Sequence, residues 1–242
     1  MKNEPLKGIF VQLPAREGSK RVFKKNLRYL ADKPMYQYAL EAAINVNTVD
    51  QVVANSDSKE LLELAKSLGA TPYLRPKHLA DDNSTGDDFT LDFIQKFRPE
   101  TLVLVNPACP LIDSIDIEHA LQAFQANTEA DTLITANVTQ MPTFLEDKPV
   151  NISLDEPMQP TQNNQKVITL NWAIAIWDTA KFLENIRIQG HAYLGRKRIL
   201  HQIPQWKSVK ISVEEDFKYA ELLIKANRDK SADCSEKHYW NG

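Results

Sequence analysis

The chain has 242 residues, 43% of them hydrophobic and 25% charged, and a formal net charge of -3. That length can bury a sizeable core in one large or two small domains, and the composition is that of an ordinary soluble globular protein. The slight acidity excludes general nucleic-acid or membrane binding through bulk charge. Cys109 and Cys234 match no metal-ligand spacing and suit a reducing cytoplasm better than a disulfide scaffold. The opening MKNEPLKGIFVQLPAR lacks the long apolar core of a signal peptide, and no stretch is apolar enough to span a bilayer. A cytoplasmic protein is expected.

Gly8 to Leu13 reads as a buried strand, and Pro34 to Asn45 has helical spacing. Asp50 to Ala54 is a second strand, followed by an amphipathic helix over Ser58 to Leu68 that stops at Gly69. Asp88 to Phe97 is helical, Thr101 to Val105 a short apolar strand, Ile115 to Ala126 a helix and Asp131 to Val138 a strand. This alternation implies βαβ units and an α/β fold with a largely parallel sheet covered on both faces. Gln140 to Lys166 breaks the pattern: four prolines and many amides predict an excursion from the sheet, as a loop, a small hairpin or an oligomer arm. Val167 to Trp177 is a long strand, Ile199 to Ile203 and Ser208 to Val213 are short ones, and Glu214 to Asn227 is the final helix. The chain reads as one domain over 1–228 with a polar tail over 229–242.

The segment PAREGSKRVFKKN, residues 14–26, places five cations, a glycine and a serine directly after the first strand. In α/β folds such a loop sits at the carboxyl edge of the sheet, where backbone N–H groups and cations converge on phosphates. Gly18 allows close backbone approach and Ser19 can donate a hydroxyl. Arg16, Lys20 and Lys25 can surround a triphosphate and offset charge on a leaving pyrophosphate. Neither the P-loop nor the dinucleotide glycine pattern is present.

The same segment, continued through NLRYLADKPMYQYALEAA, resembles the opening of the cytidylyltransferases that make CMP-activated sialic, nonulosonic and 3-deoxy-ulosonic acids. Their pattern is close to PARxGSKxxxxKNLxxLxGKPLIxxxIxAA, matched here by Arg16, Gly18, Ser19, Lys20, Lys25, Asn26, Leu27, Lys33 and Pro34. The likeness continues at Asp57, Gly69, Ala70, Arg75, Pro76, Leu79, Ala80 and Asp82, and persists at VNPACPL and LNWAIAIW. It implies a Rossmann-like three-layer nucleotidyltransferase fold with a mainly parallel sheet, and with 140–166 as a small dimerisation excursion. A sugar acid's anomeric hydroxyl would attack the α-phosphate of CTP and release pyrophosphate, with Mg2+ as the family's cofactor. Arg16, Gly18, Ser19, Lys20 and Lys25 would hold the triphosphate, Asn26 would lie near the cytidine, and Ser84 and Thr85 are further candidates for the base. On the sugar side, Asn106 stands where the family has glutamine, and reads either as a substrate ligand or as a polar cap at a strand end. Gln162 and Gln165 are candidates from the excursion.

The resemblance breaks near the C-terminus. The family's IDIDTxxDF carries two metal-binding aspartates, and aligning on Asp216-Phe217 puts Lys210 and Ser212 in their places. On a strand both would face the site together, yet an ammonium repels the hard cation that carboxylates attract. Three explanations stay open. Lys210 supplies the positive charge itself, alongside Arg16 and Lys25; or the metal moves to Asp57, Glu214 or Glu215; or catalysis is lost and a nucleotide- or sugar-binding relative is left. An unusual acid acceptor is a further alternative. Elsewhere, Phe23-Lys24 replaces a Pro-Gly-like pair, Ala108-Cys109 replaces Thr-Ser, and Trp172 replaces a glycine. Trp172 either reshapes the sugar pocket or repacks the core. Cys109 reads as a packing residue.

Overall fold

The structure is a computed structural model and describes residues 7–18 and 21–228. Ser19, Lys20 and the tail 229–242 lie outside the described residues. In chain order the elements are β1 (Lys7–Ala15), β2 (Tyr29–Leu30), β3 (Lys33–Pro34), α1 (Met35–Ile44), β4 (Gln51–Ser56), α2 (Lys59–Ser67) and β5 (Thr71–Leu74). Then come α3 (Gly86–Phe97), β6 (Pro99–Val105), α4 (Ser114–Gln125), β7 (Thr132–Thr139), β8 (Phe144–Leu145) and β9 (Lys148–Pro149). The last are β10 (Val167–Asp178), α5 (Thr179–Gln189), β11 (Arg198–Gln202) and α6 (Glu214–Arg228).

Seven strands form the main sheet in the order β11-β7-β10-β6-β1-β4-β5. β1 runs parallel to β4 and β6, β4 to β5, and β7 to β11, while β10 lies antiparallel between β6 and β7. The alternation of side chains along each strand explains the three layers. Val11 and Leu13 of β1, Val103 and Val105 of β6, and Ile174 and Ile176 of β10 pack with α1, α2 and α4. Phe10, Leu102, Leu104, Ala175 and Trp177 point the other way, onto Phe93 of α3 and Phe182 of α5. Strands buried on both faces read as unbroken apolar runs, which is how the sequence reports them. A third cluster joins α6 to the loop after β1 through Val22, Leu30, Met35, Ile211 and Phe217.

Two elements carried no clear signal. α5 has few apolar residues at helical spacing, but Asp178 caps its start by accepting from Lys181 N (3.0 Å) and Gly190 ends it at φ +78°. β5 is a four-residue edge strand. One expected strand is absent: Ser208–Val213 has no ladder partner and follows a turn at 205–208. Its bonds go instead to side chains and to the loop after β6, with Ile211 N donating to Ala108 O (2.8 Å). The excursion contains the two-residue ribbon β8-β9 and a 3-10 turn over Thr161–Asn163.

Asp131 anchors the far side of the sheet. Its buried carboxylate accepts from Arg196 N (2.8 Å), Lys197 N (3.1 Å) and Asn185 Nδ2 (3.0 Å), fixing the approach to β11. Burial alone would raise its pKa, but those donors hold it below the usual carboxylate range. A carboxylate held below its unfolded pKa stabilises the fold above that value and loses the contribution as pH falls through the folded one. Asp131→Ala should therefore cost about 2–3 kcal/mol at pH 7. The difference in denaturant midpoint from the natural chain should shrink below about pH 4. Equal midpoints at pH 7 would contradict this role.

Candidate active site

Parallel strands present their carboxyl ends at one edge, and open α/β sheets bind ligands there. β1 ends at Ala15, β4 at Ser56 and β6 at Val105, and the chain beyond them encloses a cleft of about 610 Å³. Arg16, Arg21, Lys25 and Arg75 line it, against the carboxylates of Asp81 and Asp82. Among the described residues four cations face two carboxylates and leave the cleft positive on a chain that is acidic overall.

The loop after β1 is shaped by its own backbone bonds. Asn26, 9% exposed, donates from Nδ2 to Arg16 O (3.2 Å) and accepts Tyr36 N at its carbonyl (2.9 Å). Lys24 takes a left-handed φ of +45° and its carbonyl accepts from Leu27 N and Arg28 N, both at 3.0 Å. That φ accounts for the glycine-like residue the resemblance expects here. Among the described residues a Cβ at Gly18 would meet no atom within 4 Å beyond its chain neighbours, so this glycine leaves bare backbone facing the cleft rather than relieving a clash. Asp57 braces the loop by accepting from Glu17 N (2.9 Å).

Arg16 crosses the cleft and donates to Asp81 O (3.0 Å) and Asp82 Oδ1 (3.2 Å), joining the loop after β1 to the turn after β5. Arg75 is 4% exposed and donates to Asn55 Oδ1 and Asn55 O, each at 2.8 Å, with its guanidinium 5.1 Å over the Phe89 ring. Burial lowers its pKa to about 10, so it remains a cation at neutral pH. Lys25 donates to Ile211 O (2.9 Å). Burial, then the charges of Lys210 and Arg21, hold its pKa below the ordinary lysine value. A bound anion would relieve that crowding.

The other predicted residues fall as follows. Ser84 lines the cleft with a buried Oγ that has no partner among the described residues. Thr85 is the N-cap of α3, in a capping box with Asp88 (Asp88 N to Thr85 Oγ1, 3.2 Å), and does not line the cleft. Asn106 does line it; its Oδ1 accepts from Ala108 N (3.0 Å), while its Nδ2 has no partner among the described residues. The Oδ1 contact makes Asn106 a polar cap at the end of β6 and leaves its Nδ2 on the cleft wall. Gln162 and Gln165 line neither this cleft nor its neighbour, and their carbonyls tie the excursion together by accepting from Gln140 and Asn151.

Lys210 and Ser212 part company. With no strand to align them, Ser212 lines the positive cleft and Lys210 lines a neighbouring one of about 750 Å³. The donors for a protein-held magnesium do not fit. Glu214 is engaged by Arg28 at 2.7 and 2.9 Å, Asp57 by Glu17 N, and Glu215 is exposed and outside both clefts. Among the described residues no group of three or more His, Cys, Asp or Glu could hold a metal ion.

Trp172 takes φ +57° at the irregularity in β10, where the resemblance expects glycine, and stacks on Tyr193 with centroids 4.8 Å apart. It packs in the aromatic layer with Trp177 and Phe89 and lines neither cleft. The sequence named Arg75 only as part of a motif and assigned no role to Arg21, Asp81 or Phe89. The Arg75-Pro76 pair of the matched motif was the available signal for Arg75.

The cytidylyltransferase family model matches residues 11–232. The CMP-N,N'-diacetyllegionaminic acid synthase of Legionella pneumophila is 26% identical over 91% of this chain and 98% of its own. The pseudaminic acid cytidylyltransferase of Campylobacter jejuni is 31% identical over 48% of this chain and 52% of its own, about half its length. Among solved structures, a CMP:2-keto-3-deoxy-manno-octonic acid synthetase complexed with CTP superposes with a TM-score of 0.68 at 16% identity, over 91% of this chain and all of that one. At that identity the likeness speaks for the fold.

Cys109 is fully buried and burial pushes its thiol up to about 12, so a thiolate is scarce at neutral pH. Alkylation of the native chain at pH 8 should leave Cys109 unmodified by peptide mass spectrometry, and denaturant should expose it. Native labelling of Cys109 would overturn its assignment as a packing residue.

Proposed function

Because the chain belongs to the cytidylyltransferase family, we propose that it transfers CMP from CTP to a sialic-acid-like sugar acid. The observation that carries this reading is the convergence of Arg16, Arg21, Lys25 and Arg75 on one cleft at the carboxyl ends of parallel strands. The acceptor's anomeric hydroxyl oxygen forms a bond to the α-phosphorus as the bond to the bridging oxygen breaks. Pyrophosphate leaves with that electron pair, and the hydroxyl proton is lost to solvent. Fixed cations stabilise the charge that develops on the leaving group. Asn26, Ser84 and the Asn106 amide line the same cleft and are the polar groups there that would read the nucleotide and the reacting end of the acceptor. The names of the legionaminic and pseudaminic acid relatives support the acceptor class.

A homodimer formed through the excursion belongs to the same reading. Leu145, Leu154 and Met158 are 72%, 66% and 61% exposed there, an apolar surface that a second copy would cover. A CTP-consuming reaction and the free thiol of Cys109 fit the cytoplasm. No described helix is long and apolar enough to cross a membrane.

Pyrophosphate release measured with CTP and a panel of nonulosonic and 3-deoxy-ulosonic acids should reveal turnover with at least one. Lys25→Ala should weaken CTP binding about ten- to a hundredfold, the cost of a charged hydrogen bond. CTP binding without turnover across the panel would favour a non-catalytic relative. In light scattering at micromolar concentration the chain should weigh twice its single-chain mass, and Leu145→Asp with Leu154→Asp should halve it. A monomeric natural chain would remove the dimer.

A further inference from the structure

The second cleft lies against the first, across the segment that precedes α6. Asn137 of β7, Asn171 of β10, Gln205, Trp206, Lys210 and Tyr219 line it. Its polar groups are pre-set by one another. Asn171 donates to Asn137 Oδ1, Asn137 Nδ2 donates to Ser208 Oγ (2.7 Å), and Asn171 Oδ1 accepts from Thr135 Oγ1 (2.6 Å) and Ala173 N (3.1 Å). Gln205 accepts from Ser208 Oγ at its backbone carbonyl (2.8 Å) while its side-chain amide has no partner among the described residues, and Trp206 and Tyr219 are 41% and 53% exposed. A lining of three side-chain amides and two aromatic residues with a single cation suits a polyhydroxylated ring rather than a polyphosphate.

The charges point the same way. Asp216 is the one carboxylate lining this cleft among the described residues, and its Oδ2 is occupied by Ser212 N (2.7 Å) and Val213 N (2.9 Å) at the start of α6. Lys210 is the one cation lining it and has no ion pair or hydrogen bond among the described residues. Its charge is, after burial, the next cause that holds the Lys25 pKa below the ordinary lysine value.

We propose that Lys210 is the anchor for the carboxylate of the acceptor acid, which occupies this second cleft, and that it does not serve the triphosphate. The inference rests on the sugar-acid reading above and deepens it. In a 2-keto sugar acid the anomeric carbon carries both the carboxylate and the reacting hydroxyl. Holding that carboxylate on Lys210, beside Lys25, sets the hydroxyl at the boundary between the clefts, next to the nucleotide. An aspartate at position 210 would repel the same group.

The test separates this role from the activity itself. N-acetylneuraminic, legionaminic and 3-deoxy-manno-octulosonic acids are titrated into the CTP-loaded natural chain by calorimetry, then into Lys210→Met and Lys210→Arg. The methyl ester of each acid that binds is titrated alongside. Pyrophosphate release is followed in parallel. The expected result is an acid bound by the natural chain at least tenfold more tightly than its ester, and bound at least tenfold more weakly by Lys210→Met. That variant should no longer distinguish acid from ester, Lys210→Arg should restore part of the preference, and CTP affinity should stay within about twofold throughout. Loss of CTP affinity with the acid–ester preference intact would assign Lys210 to the phosphates and overturn the proposal. An unchanged Lys210→Met, or a natural chain that binds none of the acids, would overturn it as well. Acid binding that depends on Lys210 without pyrophosphate release would uphold the anchor and remove only the transferase reading.

Discussion

The hydrogen bond from Lys25 Nζ to the carbonyl of Ile211 (2.9 Å) joins two segments that have no regular structure of their own. One is the cationic loop after β1, the other the strap that leads into α6. Ile211 and Val22, the apolar residues of strap and loop, are buried in one cluster with Met35 and Phe217, so this polar bond sits over a packed base. Other bonds of the strap go to Ala108 O, to Asp216, to Asn137 and, through Lys207, to Asp113 and Asp116 at the start of α4 (2.6 and 2.8 Å). Position and charge therefore depend on each other. Drawing Lys25 toward an anion in the first cleft acts on the strap that forms the wall of the second.

The sheet explains why two clefts lie at one edge. An all-parallel arrangement would bring only carboxyl ends to this side. The antiparallel insertion of β10 instead brings its amino end there, and with it Asn171 beside Asn137. The backbone shift that permits this places Trp172 at φ +57°, a conformation costly for a bulky residue. Stacking on Tyr193 compensates from within the aromatic layer, leaving the clefts clear of the indole.

Much of this was legible in the residues. The helices and inner strands announced themselves through spacing and apolar runs because the sheet is buried on both faces, and the cations of 14–26 located the first cleft. What escaped has a common physical cause. α5 depends on caps and on the Asn185–Asp131 bond rather than on an apolar stripe. The strap reads as a strand in sequence because Val209, Ile211 and Val213 alternate with polar residues. Only Ile211 of the three is buried, held by side-chain and loop bonds rather than a ladder. That misreading hid the separation of Lys210 from Ser212. The amide pair of the second cleft lies on neighbouring strands 34 residues apart in sequence, a juxtaposition that only the β7–β10 register creates.

A crystal structure of the chain with CTP and an accepted sugar acid addresses the division into two clefts directly. Phosphate oxygens should lie within about 3 Å of the Lys25 ammonium and the Arg21 guanidinium, and the acid's carboxylate within the same distance of Lys210 Nζ across the strap. Phosphate oxygens on Lys210 Nζ, with the acid held elsewhere, would contradict it.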